Sequence, residues 1–270
     1  MKKRSFLLFL IFLLCLSACS PSSFSETMIY VLEVGKADCI VIQTEDHVAM
    51  IDTGEEENLP EILAFLEQKE IDTIDTLILT HFDKDHIGGA AGILAELSVS
   101  TVIQSAFSGD RPEYQNYLEA LSKKNISPLC LTAVYEFSLN DCRFSVFPPQ
   151  KDQYSSKEDN NASLVVSLEN EHHSFLFCGD AMEERLEEIL SLNLGQYDFV
   201  KLPYHGNHLG NYSEFLSAVS PEFAAITCSQ KNPANQKTLD LLAEHGIKVY
   251  QTSNGTVSIR SSEGKLEFAQ

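Results

Sequence analysis

Two hydrophobic patterns alternate along most of this chain. Short apolar runs predict β-strands, and segments in which apolar residues recur every three or four positions predict amphipathic helices. The predicted strands are residues 28–34, 39–43, 47–51, 74–80, 101–104, 143–147, 164–168, 174–178, 199–202, 223–228, 248–251 and 256–260. The predicted helices are residues 59–66, 90–97, 113–124, 182–192, 213–219 and 236–244.

In both halves of the chain, runs of strands come before helices. This order suggests two sheets packed face to face with helices outside, although periodicity alone would support either an α/β or an α+β fold. Residues 26–270 suit one domain with a sizeable core. The only long polar stretch, residues 148–162, is predicted to be a surface loop.

The N-terminus has the pattern of an export signal. Three basic residues at positions 2–4 precede an apolar run over residues 6–16. This run is too short to span a bilayer as a mature helix and is followed by polar residues. We therefore predict a signal peptide over residues 1–18.

The residues around the predicted cleavage point indicate a lipid anchor. The Leu-Ser-Ala-Cys sequence at 16–19 resembles the bacterial lipoprotein signal, in which cleavage leaves a lipidated Cys19 at the new N-terminus. An ordinary secretory signal cut near Ala18 is the alternative. Residues 19–25 have no apolar face for packing and are predicted to form a tether. We expect an extracytoplasmic protein that contacts the membrane through this lipid only.

Charge narrows the range of partners. The chain has a net charge of −20, and loss of the three basic residues of the signal leaves 16 basic against 39 acidic residues, a net charge of −23. Such a surface repels polyanions and anionic lipid headgroups. An extended nucleic-acid-binding face is therefore not expected, although a local basic groove stays open. The sequence gives no sign of a protein partner.

Five cysteines remain after the predicted cleavage and lipidation: Cys39, Cys130, Cys142, Cys178 and Cys228. Their number is odd and none lies in a CxxC pair. Three of them sit in apolar runs of strand length, which favours buried thiols over a disulfide framework.

The densest chemistry lies in the sequence THFDKDHIGG at residues 80–89. Two imidazoles and two carboxylates, within six residues after a buried strand, indicate a metal-ligand cluster. Without cations, the carboxylates would repel one another and the imidazoles would lose hydration without compensation. The alternative is a solvated turn. It is disfavoured because the apolar lead-in and Gly88-Gly89 place this loop close to the sheet edge.

Several motifs together resemble the metallo-β-lactamase superfamily, whose signature is His-x-His-x-Asp-His after a strand. Asp83 stands at the second His position, as in the hydrolase domain of the competence protein ComEC and its small stand-alone relatives. The further similarities are LEVGKAD at 32–38 to LDVGQGD, IDTG at 51–54, NASLV at 161–165 to N-x-S-L-V, FLFCGD at 175–180 to FLLTGD, and KLPYHG at 201–206 to LKxxHHGS. The departures are Glu33, Lys36, Ala37 and Tyr204. The resemblance implies an α+β, four-layer αββα sandwich.

The resemblance also implies a site for two divalent cations. The expected ligands are His81, Asp83, Asp85, His86, Asp180 and His205. His81 and Asp83 would hold one cation and Asp85, His86 and His205 the other, with Asp180 as the bridge. Two alternatives stay open: Asp180 as the N-cap of the next helix, and His208 in place of His205.

The same ligand set bears on the identity of the metal. His172 and His173 precede the expected bridging carboxylate by roughly 23–26 Å of extended strand, so we place them in a distant hairpin turn. The site is therefore richer in oxygen and poorer in imidazole than a zinc β-lactamase site, and no cysteine ligand is evident. Zn²⁺ and Mn²⁺ are both plausible.

Other polar residues have two interpretations each. Asp85 is expected to be catalytic as well as a ligand. Asp52 either orients a ligand or a water, or forms an Asx turn before Gly54. Lys201 either stabilises an anionic transition state or is solvated at its strand end. Tyr204 is a candidate donor to the leaving group, and Asp38 either lines the pocket or stabilises a turn.

These features predict a metal-dependent hydrolase that uses a metal-activated water. The resemblance favours a phosphodiester substrate, either nucleic acid or a cell-surface phosphodiester, because the ComEC domain is linked to degradation of a DNA strand during uptake. Hydrolysis of a β-lactam or another ester is an alternative. A non-catalytic binding lipoprotein on the same fold is a second one.

Overall fold

The computed structural model describes residues 26–155 and 158–270, so the predicted signal peptide, Cys19 and the tether lie outside the described residues. The strands are β1 (Thr27–Val31), β2 (Ile40–Gln43), β3 (Val48–Ile51), β4 (Thr73–Leu79), β5 (Ser98–Ser105), β6 (Leu129–Leu131), β7 (Tyr135–Leu139), β8 (Cys142–Phe147), β9 (Val165–Glu169), β10 (Ser174–Phe177), β11 (Phe199–Lys201), β12 (Phe223–Ile226), β13 (Lys248–Gln251), β14 (Val257–Ser262) and β15 (Lys265–Ala269). The helices are α1 (Leu59–Gln68), α2 (Lys84–Ile87), α3 (Ala90–Glu96), α4 (Pro112–Lys124), α5 (Glu158–Asn161), α6 (Glu183–Leu192), α7 (Tyr212–Val219) and α8 (Gln236–Glu244).

The strands form two sheets. One has the order β15-β14-β1-β2-β3-β4-β5-β6 and the other β13-β12-β11-β10-β9-β8-β7. Strands β1 to β3 pair antiparallel, whereas β3 to β6 are parallel to one another. In the second sheet, β10 to β13 are parallel. Parallel strands matter for the site because their carboxyl ends lie at one edge of the sheet.

Both faces of each sheet are covered, which explains the continuous apolar runs of the sequence. In β1, Ile29 and Val31 pack between the two sheets, whereas Tyr30 packs towards the first group of helices. Successive residues of a strand point to opposite faces, so both faces must be apolar when both are buried. On the outside, α1 buries Ile62 and Leu66 in the core under the first sheet. The predicted αββα sandwich is confirmed.

Three strands were not predicted from the sequence: β6, β7 and β15. Each lies at the edge of its sheet and has exposed positions. Edge strands have one unpaired side and are often short and partly polar. Their sequences therefore lack the uninterrupted apolar run by which the central strands were recognised.

The prediction of a surface loop over residues 148–162 is wrong for part of that segment. Tyr154, Asn161 and Ala162 are buried. Helix α6 holds the segment, because the hydroxyl of Tyr154 donates to Glu188 at 3.0 Å and the side-chain oxygen of Asn161 accepts from the backbone amide of Arg185 at 3.1 Å. These partners are distant in sequence, so the local polar composition did not reveal the burial.

Two smaller features complete the fold. Four of the five cysteines in the described residues, Cys39, Cys142, Cys178 and Cys228, are buried free thiols, and Cys130 is exposed. Within residues 26–155 and 158–270, no helix has both the length and the apolar character required to cross a membrane.

Candidate metal centre

The predicted ligands follow the carboxyl ends of parallel strands from both sheets. In the first sheet, Asp52 follows β3 directly and His81 lies two residues after β4. In the second sheet, Asp180 and His205 come after β10 and β11. Since the two sheets pack face to face, these strand ends bring residues from the two halves of the chain together.

The backbone at these strand ends turns sharply. Asp52, Tyr204 and His205 have φ values of +58°, +51° and +50°, and Gly179 has +52°. Residues other than glycine rarely adopt this left-handed conformation, and backbone strain of this kind concentrates at functional sites. At Gly179, a Cβ atom would also lie 3.0 Å from the side chain of Thr80. These turns direct the side chains of the candidate ligands into the space between the sheet edges.

Four ligand atoms form the centre of the cluster. One atom each of Asp85, His86, Asp180 and His205 lies within 4.8 Å of all the others. The Oδ1 atom of Asp180 is 3.4 Å from Nε2 of His86, and its Oδ2 atom is 3.2 Å from Nε2 of His205. Oδ2 of Asp85 is 3.3 Å from that same nitrogen of His205. Asp180 therefore faces both imidazoles with its two oxygens.

His81 and Asp83 form a looser pair beside this group. Nε2 of His81 lies 3.8 Å from Oδ2 of Asp83, and the rings of His81 and His86 have centroids 4.1 Å apart. The other carboxylate oxygen of Asp83 accepts a hydrogen bond from Nε of Arg111 at 3.0 Å. The six predicted ligands thus lie together, as a compact group of four and an adjacent pair.

The donor atoms fit divalent cations. Nε2 of His81, of His86 and of His205, and Oδ1 of Asp180, are buried and have no hydrogen-bond partner. An unpaired buried polar atom costs about 1–3 kcal/mol, and four of them in one cluster would be expensive without a ligand. Imidazole and carboxylate together suit Zn²⁺ and Mn²⁺.

Hydrogen bonds on the other ring nitrogens orient the imidazoles. Nδ1 of His86 lies 2.8 Å from Oδ2 of Asp52. Nδ1 of His81 is 3.1 Å from the hydroxyl of Thr80, and Nδ1 of His205 is 2.9 Å from that of Thr227. With Nδ1 engaged in each ring, Nε2 is directed to the cluster, the arrangement found around metal-binding histidines.

Asp38, Asp52 and His86 also have ligand atoms within 4.8 Å of one another. Protein donors already occupy these oxygens, because Asp52 accepts from the amide and the hydroxyl of Thr80 at 2.8 and 2.7 Å. Asp38 accepts from Thr227 at 2.6 Å and from Lys201. This second group supports the ligands from behind and is not a separate cation site.

The electrostatics of the cluster favour positive charge. Burial alone would lower the pKa of His205, but Asp180, Asp85 and Asp38 raise it to about 9. Burial would also lower the pKa of His86, but Asp180 and Asp52 raise it well above its usual value. His81 differs, because burial and the neighbouring His86 lower its pKa to about 4. The carboxylates thus attract a proton onto two of the rings, and the same field would stabilise a bound cation.

Lys201 is neither solvated nor part of the cavity wall. Its side chain is fully buried, and Nζ binds Asp38 and the carbonyl oxygen of Gly179, the latter at 3.2 Å. Burial opposes charge, but Asp38 and Asp180 raise the pKa of Lys201. The position corrects both predicted interpretations of this lysine, because Lys201 lies behind the ligands and balances the charge of Asp38.

Tyr204 lines a cavity of about 500 Å³ that opens onto Asp83, Asp85, Asp180 and His205. Burial and the nearby carboxylates, Asp180 first, raise the pKa of its hydroxyl. The hydroxyl is therefore protonated at neutral pH and is available as a hydrogen-bond donor to a bound molecule.

The geometry distinguishes the alternatives that the sequence left open. His205 faces the cluster, whereas His208 is exposed. The helix after Asp180 is capped by Met182, not by the aspartate. Burial of His81 and His86 is incompatible with a solvated turn.

Two further expectations concern residues outside the cluster. Asp52 accepts from Thr80 and contacts His86, so the carboxylate does not form an Asx turn with Gly54. His172 and His173 lie in the turn between β9 and β10, as predicted.

Three residues that contact the candidate ligands were not predicted from the sequence: Asn160, Ser163 and Thr227. Nδ2 of Asn160 donates to Oδ2 of Asp180 at 3.3 Å, and Asn160 lines the cavity. The hydroxyl of Ser163 lies 3.3 Å from Nδ1 of His81. Thr227 directly follows β12, the position that Asp52 has after β3, so a search for polar residues after every parallel strand would have found it.

Comparison with known proteins agrees with this fold. A family model for the metallo-beta-lactamase superfamily matches residues 32–125. The chain is 30% identical over 205 residues to ComE operon protein 3 of Bacillus subtilis, covering 74% of this chain and 26% of that protein. It is 28% identical over 214 residues to Recombination protein 2 of Haemophilus influenzae, covering 78% of this chain and 25% of that protein. The chain thus spans about a quarter of the length of these curated relatives.

Solved structures give the same architecture. The metallo-beta-lactamase fold protein YhfI from Bacillus subtilis superposes with a TM-score of 0.57 at 8% sequence identity, covering 90% of this chain and 100% of that chain. At such low identity the likeness concerns the fold alone.

Proposed function

Because this chain is a ComEC-like protein with the metallo-β-lactamase fold, we propose that it is a hydrolase dependent on two divalent cations. The observation that carries the proposal is the convergence of unpaired buried ligand atoms from His81, His86, Asp180 and His205 on one cavity. A fold that only bound an organic ligand would have no need to hold three imidazole nitrogens without hydrogen-bond partners.

We propose that the ligands divide into the two sets expected from the sequence. The compact group of Asp85, His86 and His205 would hold one cation, and the pair of His81 and Asp83 the other, with Asp180 between them. Bound divalent cations lower the pKa of a water and polarise an ester oxygen. Zn²⁺ and Mn²⁺ are the proposed metals, since the set combines imidazole with an excess of carboxylate.

The protein's own groups supply orientation and proton donation. Asp52 fixes the His86 ring, and Asp38 contacts Nδ1 of His205 at 3.5 Å while accepting from Thr227. Tyr204 lies on the cavity wall with a protonated hydroxyl, so it is the proposed donor to the leaving oxygen. We propose Asp85, exposed to the cavity beside His205, as the carboxylate nearest the attacking water.

We propose a phosphodiester as the substrate. The cavity wall is mainly polar and carries carboxylates, amides, two hydroxyls and Lys36. A pair of cations suits displacement at phosphorus because one can stabilise the attacking oxygen and the other the leaving oxygen. β-Lactam hydrolysis is the less favoured alternative, since Asp83 replaces an imidazole of the zinc-type pattern.

Charge and location limit the size of the substrate. A net charge of −23 after removal of the predicted signal disfavours a long nucleic-acid strand held along the surface. We propose a small or terminal phosphodiester, of nucleotide or cell-envelope origin. The proposed location is the outer side of the cytoplasmic membrane, anchored by lipid on Cys19.

The test combines metal content with turnover. The purified protein is analysed by mass spectrometry for bound metals, and hydrolysis of bis-p-nitrophenyl phosphate is measured after chelation and after addition of Zn²⁺ or Mn²⁺. We expect close to two metals per chain and turnover that depends on them. The control is the double variant D85A/H86A, which should lose both.

Absence of bound metal and of turnover would contradict the proposal and favour the second candidate, a binding lipoprotein on a hydrolase fold. Full metal content and activity in the D85A/H86A variant would instead contradict the assigned ligands.

A further inference from the structure

Lys36 is the one lysine or arginine among the described residues that line the cavity. Other cations lie nearby but are neutralised. Lys84 binds Glu55 at 2.8 Å, and Arg111 binds Asp83 at 3.0 Å. Lys36 forms no ion pair with a described carboxylate, and its Nζ lies over the ring of Tyr204, 6.0 Å from the ring centroid. Its charge is therefore available to a bound molecule.

Lys36 and Tyr204 are also two of the positions at which this chain departs from the motifs of its relatives. Lys36 stands where the LDVGQGD motif has glutamine, and Tyr204 where the LKxxHHGS motif has its first histidine. The two residues are 168 positions apart in the chain, yet both line the cavity, with Nζ of Lys36 over the ring of Tyr204. Two neighbouring departures in the lining of one cavity change the chemistry that a bound molecule meets there.

The neutral residues of the cavity wall can also bind an anion. Asn58, Ser229 and Asn232 line the same cavity and offer neutral hydrogen-bond donors. Hydrogen bonds between an ammonium group and a phosphate oxygen are among the stronger ones in proteins. The rest of the chain is strongly acidic, so a lysine without an ion pair in the cavity wall has a local effect that opposes the overall field.

The same arrangement disfavours a cationic headgroup. An aromatic face such as that of Tyr204 would otherwise bind a quaternary ammonium. Here the ammonium of Lys36 already occupies a position over the ring, and a second positive charge would be repelled.

We propose that Lys36, held against Tyr204, selects the substrate by charge: it contacts an anionic oxygen of the phosphoester group and excludes choline-like substituents. This inference rests on the proposed phosphodiesterase function. It narrows the substrate class to phosphodiesters whose substituents are neutral or anionic, such as nucleotide or polyol phosphates, and removes phosphocholine esters.

The experiment compares two chromogenic substrates that differ in charge. Bis-p-nitrophenyl phosphate is an anion, and p-nitrophenylphosphorylcholine carries an additional cation. We expect the metal-loaded protein to have the higher kcat/KM for the anion. The variant Lys36→Gln should raise KM for the anion about fivefold, or about 1 kcal/mol at 1.4 kcal/mol per tenfold, with a smaller change in kcat. Lys36→Glu should reduce the preference further or reverse it.

The matched control is Lys265→Gln, which removes the same charge from an exposed position on β15, outside the cavity. Equal kinetics for Lys36→Gln and Lys265→Gln, with substrate preference unchanged, would overturn the inference while leaving the hydrolase intact.

A second measurement separates the two proposals. Binding of inorganic phosphate to the metal-loaded protein is followed by calorimetry, which needs no turnover. An affinity about fivefold lower in Lys36→Gln than in Lys265→Gln supports anion binding by Lys36 even if the wild-type protein hydrolyses neither ester, the result that would reject the proposed function. Equal phosphate affinities in the two variants count against the inference.

Discussion

The Nδ1 atom of His86 lies 2.8 Å from Oδ2 of Asp52, a carboxylate that also accepts two hydrogen bonds from Thr80. Both side chains are fully buried. The aspartate therefore fixes the orientation of the ring and leaves Nε2 of His86 directed at Asp180, 3.4 Å away. A carboxylate in this position also makes the imidazole a stronger ligand.

Replacing Asp52 with asparagine tests this relationship. Asparagine has the same shape and tolerates the left-handed backbone at this position, but its amide cannot act as an anionic acceptor for the His86 ring. We expect the affinity for the added metal to fall by roughly 10–100-fold, measured by competition with a chromogenic chelator. Asp46→Asn is the control, because it removes the same charge from an exposed site. Equal affinities in the two variants would show that Asp52 has no effect on the ligand.

The division of the ligands into a compact group and a looser pair predicts different outcomes for two histidine variants. His205→Gln removes a member of the compact group and should release the more tightly held cation. His81→Gln alters only the pair with Asp83 and should leave about one cation per chain. Metal content by mass spectrometry is followed as the chelator concentration is raised, and the remaining cation should be lost at a lower chelator concentration from His205→Gln than from His81→Gln. The division is incorrect if both variants lose their remaining cation at the same chelator concentration.

The raised pKa of His205, about 9 against the ordinary 6.5, predicts how the metal-free protein responds to pH. A proton on His205 is held more tightly in the folded than in the unfolded chain. This stabilisation is complete below about pH 6.5 and is lost as pH rises towards 9. The raised pKa of His86 acts in the same direction.

We therefore expect the melting temperature of the chelated protein to decrease as the pH is raised from 6.5 to 9. Over the same interval the apparent metal affinity should increase, because metal competes with those protons. His205→Gln should have a smaller pH dependence of its thermal midpoint. A midpoint of the chelated wild-type protein that stays constant or rises over this interval contradicts the prediction.

The buried pair of Lys201 and Asp38 predicts a large loss of stability when one partner is removed. Lys201→Met removes the closest cation from Asp38, which is fully buried. Such a change costs about 3–5 kcal/mol, measured as the free energy of unfolding in urea. The double variant Lys201→Met/Asp38→Asn should lose less than the sum of the single variants. Lys84→Met, which breaks the exposed pair with Glu55, is the comparison and should cost less than about 1 kcal/mol.

The local sequence was sufficient to predict the central strands and to predict which candidate ligands lie close together. The clustered His81-to-His86 segment and the Gly-Asp after β10 carry their chemistry within a few residues, so the pattern identified them. The environment of Lys201 could not be predicted from the local sequence. Its partner Asp38 lies 163 residues earlier in the chain. Nothing near Lys201 in sequence indicates that a carboxylate from the connection between β1 and β2 keeps it charged and buried.

Asn160 illustrates a different difficulty. It lies in a polar segment that reads as a surface loop, yet it is buried and donates to Asp180. The segment is held by Arg185 and Glu188 of α6, two charged residues that are themselves buried through their mutual ion pair at 2.8 Å. Their polar or charged character predicts that all of these residues are exposed. They are buried because each finds a hydrogen-bond or ion-pair partner in the folded chain.

The distribution of the ligands over both sheets has a consequence for the order of events during biogenesis. The first sheet supplies His81, Asp83, Asp85 and His86, and the second supplies Asp180 and His205. A growing chain has no complete site until residue 205 has been made and the two halves have docked. Capture of the proposed cations would therefore report completed assembly, and a chain exported unfolded would acquire them only at its destination.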